Sequence, residues 1–533
     1  MFKNPKYVYG NCECRVLATL HFGEEILKRI RAHQDNVALI NGATDETLTY
    51  ASMAQEAINL AVSLKHLNVR KGDVIAICSE NRREFWSTVI GIFCTGAVVT
   101  AINTTYSKDE MKHVLGISKP KYIFCSPSTY KQHSKSFKSI EKIIIYGDER
   151  FSNTIAYNDL AVANVKNKVL RENVKYDDFM CVDVNGQTDV GVILYSSGTT
   201  GLPKGVMLTH LNVLAACTPM DGGFVTKSLA IAPWYHSMGL ISTMRQYFMG
   251  STIVYLPKFE VELYLKTIET YKILSLAVSP PVLVAISKFK SKYDLSSVAT
   301  IHCGAAPLYE ETANAATQIF PNLQGLFQGY GLTETTLALT FSYNSEKSGS
   351  VGGVVDNAIL KIVNPETKEV LGPNQEGEIY AKGVSVMKGY IGRDRKLDFD
   401  DEGFFRTGDV GYYDEDRYFY IVDRLKELIK YKGYQVPPAE IEAVLLKHSG
   451  IRDAGVIGVR DLLAGELPLA FVALQPGVQL TEKEIQDYVA ERLSNPKHLR
   501  GGVRFLPEIP KNPSGKILRK ELRKLVKSPK SKI

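Results

Sequence analysis

Eight cysteines in 533 residues, without regular spacing, are too few for a disulfide scaffold and read as reduced thiols of an intracellular protein. The opening MFKNPKYVYGNCEC lacks the apolar core of a signal peptide. Long hydrophobic runs are almost absent. Trp86 to Ile102 comes close to the length of a membrane span, but Gly91 and Gly96 interrupt it and Asn103 follows directly, so it reads as a buried helix running into a strand. The chain is therefore expected to be soluble, with no transmembrane segment. No Cys/His spacing suits zinc, no H-E-x-x-H occurs, and nothing repeats at periods of 20–50 residues. Charge is nearly balanced, with 64 Lys/Arg against 57 Asp/Glu and a net of +7. Residues 511–533 hold nine of the basic residues against the single Glu521, so the rest of the chain is close to neutral. A basic tail without a helix-turn-helix, paired zinc spacing or RNP-type aromatics is a solvated end, and no nucleic-acid partner is expected.

What is present is an ordinary globular composition, 45% hydrophobic and 23% charged, long enough for three or four units of roughly 150 residues. Val74–Cys78, Lys121–Cys125, Lys142–Tyr146 and Gly191–Tyr195 are near-continuous apolar runs, as strands of a parallel sheet covered on both faces should be. Tyr50–Leu67 and Val261–Tyr271 have helical periodicity, and the alternation implies wound βαβ units. After about residue 340, turn-rich stretches such as Gly349–Val355 and Gly383–Gly392 surround short strands and suggest an antiparallel or barrel-like section. Pro438–Lys447 reads as a helix that opens the last small α+β unit. A boundary is expected near Arg424–Lys426, dividing the chain into 1–424 and 425–533.

The most informative segment is Tyr195-Ser-Ser-Gly-Thr-Thr-Gly-Leu-Pro-Lys-Gly205. Its glycines let backbone N–H groups approach an anion, Ser196, Ser197, Thr199 and Thr200 donate hydrogen bonds, and Lys204 supplies charge, a combination suited to a polyphosphate. It does not match the Walker A pattern. Ser/Thr/Gly clusters are commonly solvated loops, but this one directly follows a buried strand and carries Pro203-Lys204.

This loop, extended to His210, resembles the signature of the adenylate-forming enzymes, which include acyl-CoA synthetases, 4-coumarate–CoA ligases and beetle luciferases. Further matches follow in that family's order: Pro233-Trp-Tyr-His236, Gly304-Ala-Ala-Pro307, Gln328-Gly-Tyr-Gly-Leu-Thr-Glu334, Thr407-Gly-Asp409, Asp423-Arg-Leu-Lys-Glu-Leu-Ile-Lys430 and Pro513-Ser-Gly-Lys516. The resemblance implies an α/β fold: a large N-terminal domain of two wound α/β sheets plus a β-barrel, and a small mobile α+β C-terminal domain that swings between two half-reactions. It also implies a carboxylate attacking ATP to give an acyl-adenylate, followed by coenzyme A displacing AMP.

Carried over residue by residue, the resemblance places Ser196, Ser197, Gly198, Thr199, Thr200, Gly201 and Lys204 around the ATP phosphates. Thr333 and Glu334 fall beside phosphate and Mg²⁺, with Glu334 as the hard-cation ligand. Tyr330 would stack on or flank the adenine, Ala305 and Gly331 would be further ATP-binding positions, Asp409 would take the ribose hydroxyls, and Arg424 the ribose and phosphate region. Lys516 would reach the adenylation site from the C-terminal domain. Lys426 would be the hinge, while Lys430, Lys432 and Gly433 would face coenzyme A after rotation. Tyr235, His236, Ser237, Met238, Gly304, Ala305, Ala306, Gln328, Gly329 and Leu337 would line the acyl pocket, His236 touching the carboxylate or adenylate.

Segments such as DRLKELIKYKGYQV and KHLRGGVRF are particularly similar to beetle luciferases and their non-luminous insect relatives. Lys430 also matches the lysine that assists oxygenation in the light reaction, but ligases carry it too. Beetle luciferases have a serine where this chain has Leu337, and His-His-Gly-Phe-Gly where it has Tyr235-His-Ser-Met-Gly239. Leu337 removes a hydroxyl and adds apolar bulk, which favours an acyl-CoA ligase for a medium- or long-chain fatty acid, or an aromatic acid. A luciferase using O2 in place of coenzyme A, with a luciferin other than the beetle one, stays as the alternative. Ser531-Lys532-Ile533 resembles the Ser-Lys-Leu peroxisomal address, so the peroxisome and its import receptor are expected, with the cytosol as the alternative.

Overall fold

The computed structural model describes residues 4–11, 17–147, 149–163, 169–197, 203–218, 225–306, 308, 310–342, 347–432, 434–511 and 515–527. Gly198, Thr199, Thr200, Gly201, Gly433 and Ser531-Lys532-Ile533 lie outside them.

Four sheets organise the described residues. The first runs Gly389–Tyr390, Pro203–Thr209, Val190–Ser197, Val98–Ala101, Val74–Cys78, Tyr122–Cys125, Lys142–Ile145 and Thr154–Ala156, each strand bonded to the next. From Val190–Ser197 onward the neighbours are parallel, and only the Pro203–Thr209 and Gly389–Tyr390 end is antiparallel. The uniformly buried VVTA and YIFC strands explain why no polar alternation marks them in the sequence. The apolar stretch after Glu84 becomes the wholly buried helix Phe85–Cys94 and then the strand Val98–Ala101. No helix among the described residues is long and apolar enough to cross a membrane.

The second sheet runs Gly353–Val354, Thr340–Phe341, Gly325–Tyr330, Thr300–Cys303, Ser275–Val278, Lys227–Ala230, Thr252–Tyr255, Val37–Asn41 and Thr47–Thr49. Its six central strands are parallel. The two tryptophans fasten the layers together. Trp86, from the first sheet's helix, and Trp234, from the loop after Lys227–Ala230, are fully buried, with ring centroids 5.2 Å apart at 66°. The turn-rich section is an antiparallel sheet of Tyr7–Tyr9, Ala358–Val363, Gly377–Gly383, Phe405–Tyr413 and Phe419–Arg424. Its two end strands are not bonded to each other among the described residues; Phe419, on the last of them, bridges instead to Gly352 beside the second sheet. The first strand of this antiparallel sheet comes from the N-terminus.

The fourth sheet begins at Ile429–Tyr431, just after a turn holding the exposed Lys426, and includes Tyr434–Val436, Ile451–Asp461, Gly465–Leu474 and Gly502–Phe505. The helix Pro438–Leu446 packs on it. Asp423 Oδ2 accepts from the Ala439 N–H at 3.1 Å, tying the last strand of the third sheet to the first turn of that helix. Arg519 Nη2 donates to both oxygens of the buried Glu442, at 2.8 and 2.9 Å. Burial pushes the Glu442 carboxyl up to about 7 against the pull of Arg519. Farther along, Gly515 lies against the large unit. A Cβ there would sit 2.2 Å from Pro281 Cγ, and its φ of +82° is one that side-chain-bearing residues rarely adopt. Only glycine lets this loop, with Lys516 next in the chain, press so close to the helix Pro280–Ser287.

Candidate active site

The signature loop joins two antiparallel strands, so its flanks are fixed by a ladder in which Ser196 faces Lys204 and Tyr195 faces Gly205. Lys204 Nζ stands 4.6 Å from the centroid of the Tyr390 ring. The Tyr390 hydroxyl donates to Glu334 Oε1 at 2.7 Å, with the buried Ser196 hydroxyl beside it. Burial, then the Glu334 charge, holds the Tyr390 hydroxyl well above its usual pKa, so it stays protonated and donating. Tyr390 escapes a reading of the sequence because Lys-Gly-Tyr carries no pattern of its own; the signal is its placement next to Pro203–Thr209 in the sheet.

Glu334 sits in a tightly pinned loop. Leu332 N–H donates to Thr335 Oγ1 at 2.9 Å, Met387 N–H to Glu334 O at 2.8 Å, and Thr336 Oγ1 to Ser385 O at 2.6 Å. Thr336 adopts φ +66°. A Cβ on Gly331 would fall 1.8 Å from Leu337 O, so the loop closes only with glycine there. Tyr390 donates to Oε1 of the buried Glu334, which leaves Oε2 as the carboxylate's second hard donor. One carboxylate fits Mg²⁺, which takes one or two carboxylates together with substrate phosphates and water. Among the described residues no group of three or more His, Cys, Asp or Glu could hold a metal by itself.

A second cluster centres on Asp409, 4% exposed. Tyr330 OH donates to its Oδ2 at 2.9 Å, and Arg424 Nε lies 3.1 Å from its Oδ1 across the ladder in which the two residues are paired. Burial raises the Asp409 carboxyl, while Arg424 and then Lys516 draw it back. Burial opposes the Arg424 charge, and Asp409 followed by Glu334 restores it. Lys516 is brought down to about 8, first by burial and then by Arg424, with Asp409 opposing. Glu334, Asp409, Arg424 and Lys516 thus share one electrostatic neighbourhood, although Lys516 lies 92 residues beyond Arg424 in the sequence.

The third group comes from the start of the helix Ser237–Phe248 and from the ends of two strands of the second sheet. His236 precedes the helix Ser237–Phe248; its Nε2 is buried without a hydrogen bond, and burial lowers its pKa to about 4, leaving a neutral ring. Tyr235 is buried, and Ser237, Met238, Gly304, Ala306, Gln328, Gly329 and Leu337 are half-buried. Ala305 takes φ +72°, a strain on the order of 1–2 kcal/mol for a residue with a Cβ. The structure places Lys430 and Lys432 elsewhere. Lys430 lines a surface pocket of about 370 Å³ with Arg460, Asp461, Leu462, Gly465 and Glu466, and Lys432 is exposed.

Residues 26–391 match the family model described as AMP-binding enzyme, and residues 440–516 match the AMP-binding enzyme C-terminal domain. The chain belongs to the AMP-binding enzyme family. It is 41% identical over 516 residues to a "Luciferin 4-monooxygenase" of Nipponoluciola cruciata, covering 93% of this chain and 92% of that one. It is 36% identical over 520 residues to a "Probable 4-coumarate--CoA ligase 1" of Dictyostelium discoideum, covering 93% and 94%. Among solved structures, ATP-bound MatB from Rhodopseudomonas palustris superposes with a TM-score of 0.83 at 25% identity, covering 95% of this chain and 99% of that one.

Gly331→Ala places a methyl group on the Leu337 carbonyl and forces the Glu334 loop to move. Calorimetric titration with AMP is expected to show affinity falling by about tenfold or more, from displacement of a preorganised site; unchanged affinity would show that the loop is not part of the nucleotide site.

Proposed function

We propose that the protein is an ATP-dependent acid–thiol ligase. A substrate carboxylate oxygen attacks the α-phosphorus of ATP and pyrophosphate leaves; the thiol of coenzyme A then adds to the acyl carbon, loses its proton and expels AMP. The observation that carries this reading is the convergence of Lys516, Arg424, Asp409 and Tyr330, because it sets two cations and a ribose-sized acceptor beside the carboxylate of Glu334. In this reading Asp409 accepts the ribose hydroxyls, Tyr330 and Ala305 border the adenine, and the Ser196–Lys204 hairpin holds the phosphates. Thr333 and Glu334 would hold Mg²⁺, which when bound offsets charge on the phosphates. Lys516 and Arg424 stabilise charge where the carboxylate meets the α-phosphate, and His236, neutral and buried, positions the acid. The second half-reaction uses rotation of residues 425–533 about Lys426, bringing Lys430, Lys432 and Gly433 to the site. The apolar Met238 and Leu337 suit a hydrocarbon midsection, of a fatty or an aromatic acid.

The second reading, a luciferase that uses O2 in place of coenzyme A, is favoured by the 41% identity to the Nipponoluciola cruciata protein. Leu337, without a hydroxyl, weighs towards the ligase.

With ATP, Mg²⁺ and a panel of aliphatic and aromatic acids, pyrophosphate release is expected to turn over only with coenzyme A present and without light. Oxygen-dependent photon output with a luciferin would establish the second reading instead, and no release with any acid would contradict both. The pH profile adds an independent check. Lys516 is charged below about 8 and neutral above it, so kcat/KM for pyrophosphate release should fall as pH rises through that range, and Lys516→Arg should move the fall to higher pH. A fall at the same pH in both proteins would exclude Lys516 as its source.

A further inference from the structure

Six cysteines fall among the described residues, and the candidate active site uses none of them. Cys78, Cys94, Cys125, Cys217 and Cys303 are buried, and Cys181 is half-buried. Two pairs are formed by the fold. Cys78 and Cys125 are register partners on neighbouring parallel strands, spaced about 4.8 Å apart, and both are fully buried. Cys94 and Cys181 lie 87 positions apart in the sequence but meet in space. Cys94 is the last residue of the helix Phe85–Cys94, and its carbonyl accepts from the Val182 N–H at 2.9 Å. A disulfide needs Cα atoms within roughly 7 Å, and this bond to the residue after Cys181 brings the two backbones together on that scale.

Further contacts hold the Cys181 segment against the helix end. Gly96 takes φ +69°, and a Cβ there would sit 3.2 Å from Val182 Cγ1 and 3.3 Å from Val184 Cγ1. Cys181 packs on the core cluster that contains Cys94. The Cys94 thiol is held well above its ordinary pKa, first by a hydrogen bond with the Cys181 side chain and then by burial. It stays protonated, and its contact on the other side is weak, 3.9 Å from Sγ to the Gly23 carbonyl. Cys181 has the more open setting. Its neighbour Met180 is 81% exposed, and the Met180 carbonyl accepts from the Lys65 ammonium at 3.2 Å. A partly exposed thiol near a cation is the kind that oxidants reach, whereas buried structural thiols are inert. Access therefore separates the two pairs: the strand pair Cys78 and Cys125 has none, and the second pair has it through Cys181.

We propose that Cys94 and Cys181 form a redox-active dithiol that hydrogen peroxide closes into a reversible disulfide. The Cys181 sulfur attacks one peroxide oxygen, the O–O bond breaks, and a sulfenic acid and one water form. The Cys94 sulfur then attacks the Cys181 sulfur and the S–O bond breaks. Hydroxide leaves with the Cys94 proton as a second water. Two thiols have given up two electrons and two protons, and peroxide has taken them. A reducing dithiol reverses the reaction by exchange. The new bond ties the helix that carries Trp86 to the segment running into Val190–Ser197, the strand that leads to the signature loop. Because it closes a long loop, it restricts the unfolded chain more than the folded one. Nothing in this step depends on the ligase reading.

The test oxidises the full-length protein with hydrogen peroxide, blocks the remaining thiols with N-ethylmaleimide and maps unreduced peptides by mass spectrometry. The expected product joins the peptides of Cys94 and Cys181, lacks two hydrogens and is lost on treatment with dithiothreitol. The thermal midpoint of the oxidised protein is expected to exceed that of the reduced protein by about 3 °C or more. In Cys94→Ala, Cys181 has no partner to resolve it, so peroxide followed by dimedone should label Cys181. In Cys181→Ser, Cys94 should stay reduced and peroxide should leave the midpoint unchanged. The second variant keeps the test available if the core substitution Cys94→Ala does not fold. Absence of the Cys94–Cys181 peptide from oxidised wild type, a Cys78–Cys125 or other linkage in its place, or oxidation of Cys94 in Cys181→Ser would overturn the assignment.

Discussion

The buried carboxylate of Asp409 is the constraint on which the site is built. A carboxylate taken out of water is stable only with partners, and this one takes them from distant parts of the chain: Tyr330 from the end of a strand in the second sheet, Arg424 from the next strand of its own sheet, and Lys516 from the loop that Gly515 lets press onto Pro281. Removing one partner leaves the others with uncompensated charge. The same ladder that pairs Asp409 with Arg424 ends at the turn holding Lys426, so the electrostatics around Asp409 and the junction to the last sheet share one piece of backbone.

Around that centre each unit supplies a different capacity. The first sheet offers a hairpin whose strands hold Ser196 opposite Lys204, beside the hydroxyl of Tyr390. The second sheet offers Gly304 and Gly329 at the ends of neighbouring strands, with the rings of His302, Phe327 and Phe341 clustered two residues before them or across the ladder. The last unit offers two cation-bearing regions, one with Lys516 at the site and one with Lys430 and Arg460 around a surface pocket. A single fixed arrangement cannot place both at the same acyl group, which is the physical reason for proposing rotation.

Much of this was legible in the sequence, for identifiable reasons. Strands buried on both faces leave apolar runs, so Val74–Cys78 and Tyr122–Cys125 emerge nearly to the residue. Glycines needed for close approach leave a signature, as Gly331 does inside Gln328–Glu334. Tyr7–Tyr9 was not legible, because three residues pairing with a strand some 350 positions away carry no local signal. Nor was Tyr390. A tyrosine after glycine has an ordinary structural reading, and only the register of the first sheet brings it beside Lys204 and Glu334.

The most direct measurement separates the two half-reactions in Lys516→Ala. The account predicts that formation of acyl-AMP from acid and ATP is almost abolished while conversion of supplied acyl-AMP and coenzyme A to thioester is largely retained, because Lys516 serves only the arrangement in which it lies beside Asp409 and Arg424. Equal loss in both half-reactions, or retention of both, would contradict it.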